Sequence, residues 1–382
     1  MQDIDNVLTR GIDQILPSQK GLADLMEKRK ITLYQGFDPS SPNLHLGNLI
    51  GIRKLAQFQK LGHKVIFLIG DFTGMIGDPT DKRAARKKLT QKQVLENAKS
   101  YQTQVSRVLK FSGENAAELK YNSHWLSKLS FEDITELASN FTTQQMLERD
   151  FFQARIKKNK PIYLHEFLYP LMQGYDCVTM DVDLEIGGSD QLFNMMAGRT
   201  LMKILKGKEK YVLTMKLLED PTGKKMGKTE GKTINLIDTP INIYGKIMAL
   251  PDSLVGSGIE LLTDLPRQLS KNQNAMDAKK ILAYDVVKQL HGQSLAKAAQ
   301  NSFIKTFHEG RPEYVLEIHL KENLANTIAP FTSLASISEA KRLITQRSVD
   351  VNNKTITDPT YQPKIGQKIQ IGKKIFGSVV EK

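Results

Sequence analysis

Two stretches near the start of the chain have the continuous apolar pattern of buried parallel strands. They cover residues 31–37 (ITLYQGF) and 64–71 (KVIFLIGD) and are rich in branched and aromatic side chains. Between them, apolar residues recur every three positions from Leu46 to Leu61, which predicts a helix buried on more than one side. Strand, helix and strand in this order predict a right-handed βαβ unit.

The strand pattern returns downstream. Strand-like runs occur at 118–125 (ELKYNSHW) and 177–188 (CVTMDVDLEIGG). Repeated strand and helix patterns predict an α/β fold with a doubly wound parallel sheet. Ligands of such sheets bind beyond the carboxyl ends of the strands, where residues 36–48 and 70–80 are predicted to lie.

The pattern changes twice more along the chain. Residues 240–320 lack strand signals and are predicted to form a separate, mostly helical unit, with breaks at Pro251, Pro266 and Pro312. From about residue 330, one basic helix is followed by short β-runs separated by Asn-Asn, Pro and Gly. A small, basic α+β segment is typical of an RNA-binding appendage.

Composition narrows the class of protein. The 382 residues are 40% hydrophobic, with no apolar run long enough to span a membrane, which predicts a soluble globular protein without membrane attachment. A single cysteine and an acidic N-terminus favour a cytoplasmic location, and one cysteine with seven scattered histidines predicts no protein-bound metal. The net charge of +13 favours a polyanionic partner.

His45 and Asn48 lie three residues apart where the first crossover helix is predicted to begin. Side chains at that spacing share a helix face and stand beside unpaired backbone N–H groups, which together make an anion site. Gly47 lets a nucleotide approach the backbone. Alternatively, the histidine and asparagine only cap the helix.

Two motifs together indicate a family. The stretch GFDPSSPNLHLGN (36–48) resembles the extended HIGH signature of class I aminoacyl-tRNA synthetases, which grips ATP. Far downstream, KKMGKT (224–229) resembles the Lys-Met-Ser-Lys-Ser loop of the same class. Lysines between glycines can close over a triphosphate and neutralise the leaving pyrophosphate.

Further motifs resemble the bacterial tyrosyl-tRNA synthetases over nearly the whole chain. These are YPLMQGYD (169–176), GGSDQLFN (187–194) and the C-terminal segment, which is similar to a small RNA-binding domain shared with a ribosomal protein. The resemblance implies a Rossmann-like catalytic domain at 1–230, a helical tRNA-side domain at 231–325 and an RNA-binding domain at 330–382.

The resemblance also implies roles for individual residues. Tyrosine would be bound by Tyr34 and Asp176 at its phenolic hydroxyl, by Asp78, Tyr169 and Gln173 at its ammonium group, and by Gln191 at its carboxylate. ATP would be bound by Gly36, Asp38, Ser40, His45, Gly47, Asn48, Asp190 (at the ribose) and Lys228. Catalysis would rest on donors to the phosphates, namely His45, Asn48, Lys82, Arg86, Lys225, Lys228 and Thr229.

The implied activity is ligation of tyrosine to tRNA. ATP would convert L-tyrosine to tyrosyl-adenylate, with Mg²⁺ accompanying ATP, and the amino acid would then pass to the terminal adenosine of tRNA(Tyr). The family also implies a homodimer. Electrostatic positioning suffices for such a reaction, in which the tyrosine carboxylate attacks the α-phosphate in line.

Three positions depart from the usual family pattern and leave alternatives open. They are Asn48 in place of histidine, and Gly227 and Thr229 in place of serines. Tryptophanyl-tRNA synthetases often have asparagine at the first of these positions, but the pair of Tyr34 and Asp176 and the C-terminal segment argue against that family. The other alternative is a non-catalytic RNA-binding protein derived from a synthetase.

Overall fold

The computed structural model describes residues 2–78, 89–219, 233–269, 273–307, 314, 316–332, 336–372 and 375–381.

A six-stranded sheet forms the first region. Its strands are β1 (Ile12–Leu16), β2 (Thr32–Phe37), β3 (Lys64–Ile69), β4 (Glu118–Tyr121), β5 (Leu184–Gly188) and β6 (Tyr211–Met215). Their order in space is β1-β6-β5-β2-β3-β4, and β1 alone is antiparallel to its neighbour. The chain winds outward from β2 to β4 and then restarts at β5 on the other side of β2. The topological switch point of the doubly wound sheet therefore lies between β2 and β5.

The helices of the described chain lie over this sheet, in the helical unit that follows it and in the C-terminal region. They are α1 (Gln2–Thr9), α2 (Gln19–Lys28), α3 (Leu46–Lys60), α4 (Thr73–Ile76), α5 (Gln91–Ala98), α6 (Tyr101–Val105), α7 (Ser123–Leu126), α8 (Phe131–Ser139), α9 (Thr143–Leu147), α10 (Asp150–Lys157), α11 (His165–Met180), α12 (Leu192–Lys206), α13 (Pro240–Met248), α14 (Val255–Leu262), α15 (Ala275–His291), α16 (Gln293–Phe307), α17 (Leu324–Ile328) and α18 (Ile337–Thr345). Short 3₁₀ turns span Ser189–Gln191, Asp252–Leu254 and Ala329–Phe331.

The α/β prediction is confirmed, with two corrections inside it. The predicted strand run at 118–125 is wrong in its last part, because the strand ends at Tyr121 and Ser123–Leu126 form α7. Strands β2 and β3 and helix α3 form where the apolar pattern places them, and α3 is buried on several sides. The predicted strand run at 177–188 is wrong in its first part, because Cys177–Met180 complete α11. Asp181 ends that helix in a left-handed conformation (φ 49°), and the strand begins only at Leu184.

The predicted helical unit does form helices, but within the residues that the structure describes it shares its core with the sheet. Buried side chains of α13 and α15, such as Ile243 and Val287, belong to the same hydrophobic cluster as Leu49 and Phe58 of α3. The predicted breaks at Pro251 and Pro266 lie between helices, whereas Pro312 is outside the described residues.

The C-terminal region has its own sheet and core. Its strands are β7 (Leu316–His319), β8 (Val349–Val351), β9 (Lys354–Thr355), β10 (Lys368–Ile371) and β11 (Ile375–Val380), in the order β7-β11-β10-β8-β9. Ile318 of β7 and Leu324 of α17 are buried in its core. Residues 316–319 are therefore strand and not helix, and the unit begins before the predicted boundary at 330, because β7 pairs in parallel with β11.

Within the described ranges, the structure contains no helix that is both long and apolar enough to cross a membrane.

Candidate active site at the switch point

The predicted site residues collect at one edge of the main sheet. Strands β2 and β5 are neighbours, and their carboxyl ends lead into residues 38–45 and into the turn Ser189–Gln191. Strand β3 ends on the same side and leads into α4. Because these strands are parallel, the segments that follow them meet beyond the switch point, where doubly wound folds bind ligands.

His45 and Asn48 form a reciprocal cap at the start of α3. The backbone N–H of Gly47 donates to His45 Nδ1 at 3.1 Å, and the backbone N–H of His45 donates to Asn48 Oδ1 at 3.0 Å. His45 and Asn48 thus cap the helix, as the alternative predicted. It does not exclude phosphate binding, because a neutral imidazole that accepts at Nδ1 carries its proton at Nε2 as a donor.

The absence of a side chain at Gly47 has a local structural reason. A Cβ at this position would lie 2.9 Å from His45 Cε1. Any larger residue would displace the imidazole from its capping position, so Gly47 serves the orientation of His45 in addition to its predicted place beside the nucleotide.

The segment that follows the lysine motif is tied to the histidine segment. The backbone N–H of Leu46 donates to the carbonyl of Ile234 at 3.0 Å, and that of Leu236 donates to the carbonyl of Leu44 at 2.8 Å. Asn235 forms a bridge with His45. On the upstream side, the motif follows β6. Both chain ends that flank residues 220–232 therefore lie at the switch-point edge.

Several predicted phosphate-binding residues lie outside the described residues. They are Lys82, Arg86, Lys225, Lys228 and Thr229, together with the departure Gly227. Their roles stay predictions.

Asp38, predicted to line the nucleotide channel, connects two sides of the site. Its carboxylate accepts hydrogen bonds from the hydroxyls of Thr73, at 2.7 Å, and of Tyr169, at 2.6 Å. Tyr169 is buried in α11, and burial together with the charges of Asp38 and Asp78 raises the pKa of its phenol well above the ordinary value. Asp38 and Asp78, on two different loops, thus both act on one buried hydroxyl. Their negative charge favours the binding of a cationic group at this place.

Asp176 is a buried carboxylate held by two donors. Trp125 Nε1 donates to Oδ1 at 2.7 Å, and Asn122 Nδ2 is 3.3 Å from Oδ2. Burial raises the pKa of Asp176 well above its usual range, and the two hydrogen bonds oppose that shift. These neighbours fix the carboxylate in one orientation.

Tyr34 and Gln173, predicted to bind opposite ends of tyrosine, share a buried partner. The Tyr34 hydroxyl donates to Glu185 Oε1 at 2.7 Å, and Gln173 Nε2 donates to the same oxygen at 2.8 Å. Burial, together with Cys177 and Glu185, raises the pKa of Tyr34 well above its usual value. Tyr34 therefore remains a neutral phenol.

The remaining predicted residues line the rim of the same region. Gln191 Nε2 donates to Asp78 Oδ2 at 2.6 Å, while Gln191 Oε1 accepts from Asn194 Nδ2 at 3.0 Å. Exposed positions near the strand ends are Gly36, Ser40 and Asp190. These three positions of the predicted nucleotide channel thus face solvent, whereas Tyr34, Tyr169 and Asp176, predicted to bind the amino acid, are buried.

Sequence reasoning missed four residues that hold this site together. They are Asn122, Trp125, Glu185 and Lys210. Only Glu185 gave a local signal, as a charged residue within the apolar strand run LEIGG. The partners that the other three contact become visible only in the fold.

Comparison with known proteins defines the class. Residues 26–308 match the family described as tRNA synthetases class I (W and Y), and residues 332–369 match the S4 domain. The first match covers well over half of the chain, so the chain belongs to the class I tRNA synthetase family of the W and Y type.

Individual relatives within this family are tyrosine–tRNA ligases. The tyrosine–tRNA ligase of Carboxydothermus hydrogenoformans is 39% identical over 98% of this chain and 97% of its own length. The tyrosine–tRNA ligase of Thermotoga maritima is 39% identical over 97% of this chain and 95% of its own length. The solved tyrosyl-tRNA synthetase of Archaeoglobus fulgidus complexed with L-tyrosine has a TM-score of 0.61 at 19% identity, covering 78% of this chain and 99% of that one, which supports the fold.

Proposed function

We infer that the chain is a tyrosine–tRNA ligase that joins L-tyrosine to tRNA at the expense of ATP. The observation that carries this assignment is the 39% identity to tyrosine–tRNA ligases over nearly the full length of both chains. The relatives reported above are named for tyrosine and not for tryptophan, which leaves the tryptophanyl alternative without support.

The deep part of the site suits the side chain of tyrosine. Asp176 and Tyr34 are buried polar groups that would bind the phenolic hydroxyl. A substrate without that hydroxyl would leave them without their partner in a dry pocket. Discrimination against phenylalanine by roughly a factor of 10⁵ is known for this enzyme family and has this physical cause.

The carboxylates near Tyr169 suit the ammonium group of the substrate. Asp78 and Asp38 both raise the pKa of the Tyr169 phenol, after the larger effect of burial, so the potential at this point is negative. Asp78, Tyr169 and Gln173 would hold the ammonium, and Gln191 would face the carboxylate. The carboxylate would then point toward the start of α3.

Activation would take place where the two signature segments meet. The tyrosine carboxylate attacks the α-phosphate of ATP in line, and pyrophosphate leaves with the electron pair of the broken bond. His45 and Asn48 would donate to the phosphates, with Lys82, Arg86, Lys225, Lys228 and Thr229 as further donors. Gly36, Asp38, Ser40, Gly47 and Asp190 would line the nucleotide channel. Donors that are fixed before the reaction stabilise the charge that develops on the leaving group.

Mg²⁺ would enter with ATP. Among the described side chains, no group of three or more His, Cys, Asp or Glu residues is arranged to hold a metal ion. Magnesium commonly retains waters and binds substrate phosphates with few protein ligands. The ion would supply neutralising charge on the phosphates.

The C-terminal unit would bind tRNA. Removing residues 316–382 takes away its whole core, which is distinct from the core around the sheet. We expect this truncation to lower kcat/KM for tRNA in aminoacylation by about 100-fold, because several phosphate contacts are lost, and to leave tyrosine-dependent ATP–pyrophosphate exchange within about twofold. Equal loss of both activities would show that the unit supports the catalytic fold instead.

A homodimer and a cytoplasmic location complete the proposal. Large apolar side chains are exposed on α10, at Ile156, and just before α11, at Tyr163 and Leu164, and Leu164 is 83% exposed. Such a group supports burial against a second copy of the chain. The mass of the protein in solution tests the homodimer.

The direct test of the activity is ATP–pyrophosphate exchange by the full-length protein. Tyrosine should sustain exchange, because the adenylate forms and reverses on the enzyme. The non-catalytic alternative predicts no exchange with any amino acid, together with retained binding of tRNA.

A further inference from the structure

The loop that leads into His45 depends on side chains from another part of the fold. This loop, residues 39–44 (PSSPNL), joins β2 to α3 and has no helix or strand structure of its own. Two of its residues are prolines, which have no backbone N–H with which to form internal hydrogen bonds. The groups that bind its backbone therefore decide its shape.

Three of these groups come from one face of helices α5 and α6. Asn97, Tyr101 and Gln104 follow each other by four and three residues, and the two residues between the helices keep a right-handed helical backbone. Side chains at this spacing lie on the same side of a helix. Asn97 Nδ2 donates to the carbonyl of Pro39 at 2.8 Å, and the Tyr101 hydroxyl donates to the carbonyl of Ser41 at 2.6 Å.

Gln104 binds the loop at two points directly before His45. Its Nε2 donates to the carbonyl of Pro42 at 2.8 Å and to Ser100 Oγ at 2.8 Å, and its Oε1 accepts from the backbone N–H of Leu44 at 2.8 Å. Only a side-chain amide both donates and accepts in this way. The side chain thus fixes the chain on its way into the cap of α3.

The helices that carry these side chains are themselves firmly packed. Tyr101 is 2% exposed and belongs to the core around the main sheet. Burial raises the pKa of its phenol, so the hydroxyl keeps the proton that it donates. Gly74 of α4 lies between the loop and α5, since a Cβ there would be 3.2 Å from Pro39 Cδ and 3.4 Å from Val94 Cγ1. The loop therefore rests on a rigid surface.

The need to pair backbone groups does not explain these contacts by itself. Pro42 is exposed, so a water molecule can serve its carbonyl as well as Gln104 does. Ordering a glutamine side chain also costs conformational entropy, which reduces what the contact adds to stability. A contact of this kind contributes most by holding the loop in one position.

We propose that Asn97, Tyr101 and Gln104 are positioning residues that hold loop 39–44 so that His45 reaches the phosphates of ATP. The proposal rests on the function inferred above. It extends the nucleotide site to side chains that do not touch ATP. It also predicts that their loss affects the reaction with ATP and leaves the binding of tyrosine unchanged.

The test is Gln104→Met in the full-length protein, which removes both contacts to the loop and keeps the length of the side chain. The rate constant of adenylate formation, and kcat/KM for ATP in ATP–pyrophosphate exchange, should each fall by about tenfold, because a small displacement of a phosphate donor is costly. The dissociation constant of tyrosine should change by less than about twofold, since Tyr34 and Asp176 lie on β2 and α11, outside the loop.

The matched control is Gln59→Met, near the other end of α3. Gln59 holds another loop in the same manner, because its Nε2 donates to the carbonyls of Lys110 and Asn115 and its Oε1 accepts from the N–H of Lys110. That loop precedes β4, so it lies at the opposite edge of the sheet from the site.

Gln59→Met should lower the melting temperature and leave the rate constant of adenylate formation within about twofold. If Gln104→Met gave this same result, its hydrogen bonds would only support the fold, and the proposal would be overturned.

A combined variant tests whether Gln104 acts through His45. In the His45→Asn background, where the imidazole donor is already absent, Gln104→Met should slow adenylate formation by less than about threefold. The same tenfold loss in both backgrounds would contradict the proposal, because the two residues would then act independently.

Failure of the proposal can be told apart from failure of the proposed function. If the unmodified protein sustains no exchange with tyrosine, the proposed function is wrong. If it sustains exchange and Gln104→Met behaves like Gln59→Met, the function stands and the positioning role is wrong.

Should Gln104→Met fail to fold, Tyr101→Phe decides. This change removes the hydroxyl that donates to Ser41 and keeps the buried ring. It should lower kcat/KM for ATP by about threefold or more and leave the dissociation constant of tyrosine unchanged. Unchanged kinetics with ATP would overturn the proposal.

Discussion

His45→Asn is expected to slow the formation of tyrosyl-adenylate by about 100-fold while changing the dissociation constant of tyrosine by less than about threefold. The change removes the imidazole Nε2 donor at the start of α3. Asparagine is among the best N-cap residues and can still accept from the first backbone N–H groups of the helix. Rapid-quench measurement of adenylate, with equilibrium binding of tyrosine, gives both quantities.

His45→Ala is the comparison that separates the two roles of the residue. It removes both the phosphate donor and the cap on Gly47, so it should be as slow as His45→Asn and also less stable by about 1 kcal/mol. If His45→Asn restored the rate to within a fewfold of the original, the histidine would act as a cap alone, and the proposed phosphate contact would be wrong.

Asp176→Asn is expected to reduce kcat/KM for tyrosine by about 1,000-fold or more, the largest loss among the pocket residues. Trp125 and Asn122 both donate to the carboxylate of Asp176. An amide at this position accepts at only one atom, so its NH₂ group must face one of these donors or turn into the pocket. Either arrangement removes the acceptor that the neighbours hold in place.

The KM for ATP serves as the internal reference for Asp176→Asn, since the exposed positions of the predicted nucleotide channel, Gly36, Ser40 and Asp190, lie outside the deep pocket. A milder change is Trp125→Phe, which retains the carboxylate of Asp176 and removes one of its hydrogen-bond donors. It should lower kcat/KM for tyrosine by about tenfold. Equal losses with tyrosine and phenylalanine in Asp176→Asn would argue that this residue does not contact the phenol.

Elements with a strong local pattern could be predicted from the sequence. The continuous apolar runs at β2 and β3 and the buried helix between them determine the first βαβ unit, whose structure depends little on distant residues. The run at 177–188 could not be predicted as well, because it contains both the apolar end of α11 and the start of β5, with Asp181 between them. Short apolar runs do not distinguish a buried helix end from a strand.

The connections within the site could not be predicted in the same way. The motifs give the identities of Tyr34, Gln173 and Asp176 but not their partners, which come from other elements. Trp125, for example, reaches Asp176 from a short helix after β4, a contact separated by 51 residues. The capping geometry of His45 was an open alternative in the sequence, and the fold shows that capping and donation at Nε2 are compatible.

ATP–pyrophosphate exchange with tyrosine, tryptophan and phenylalanine in turn tests the central claim most directly. The account predicts that tyrosine sustains exchange and that kcat/KM for tryptophan and phenylalanine is lower by about 10⁴-fold or more, because only tyrosine pairs with the buried groups of the pocket. Exchange with tryptophan but not with tyrosine would contradict it.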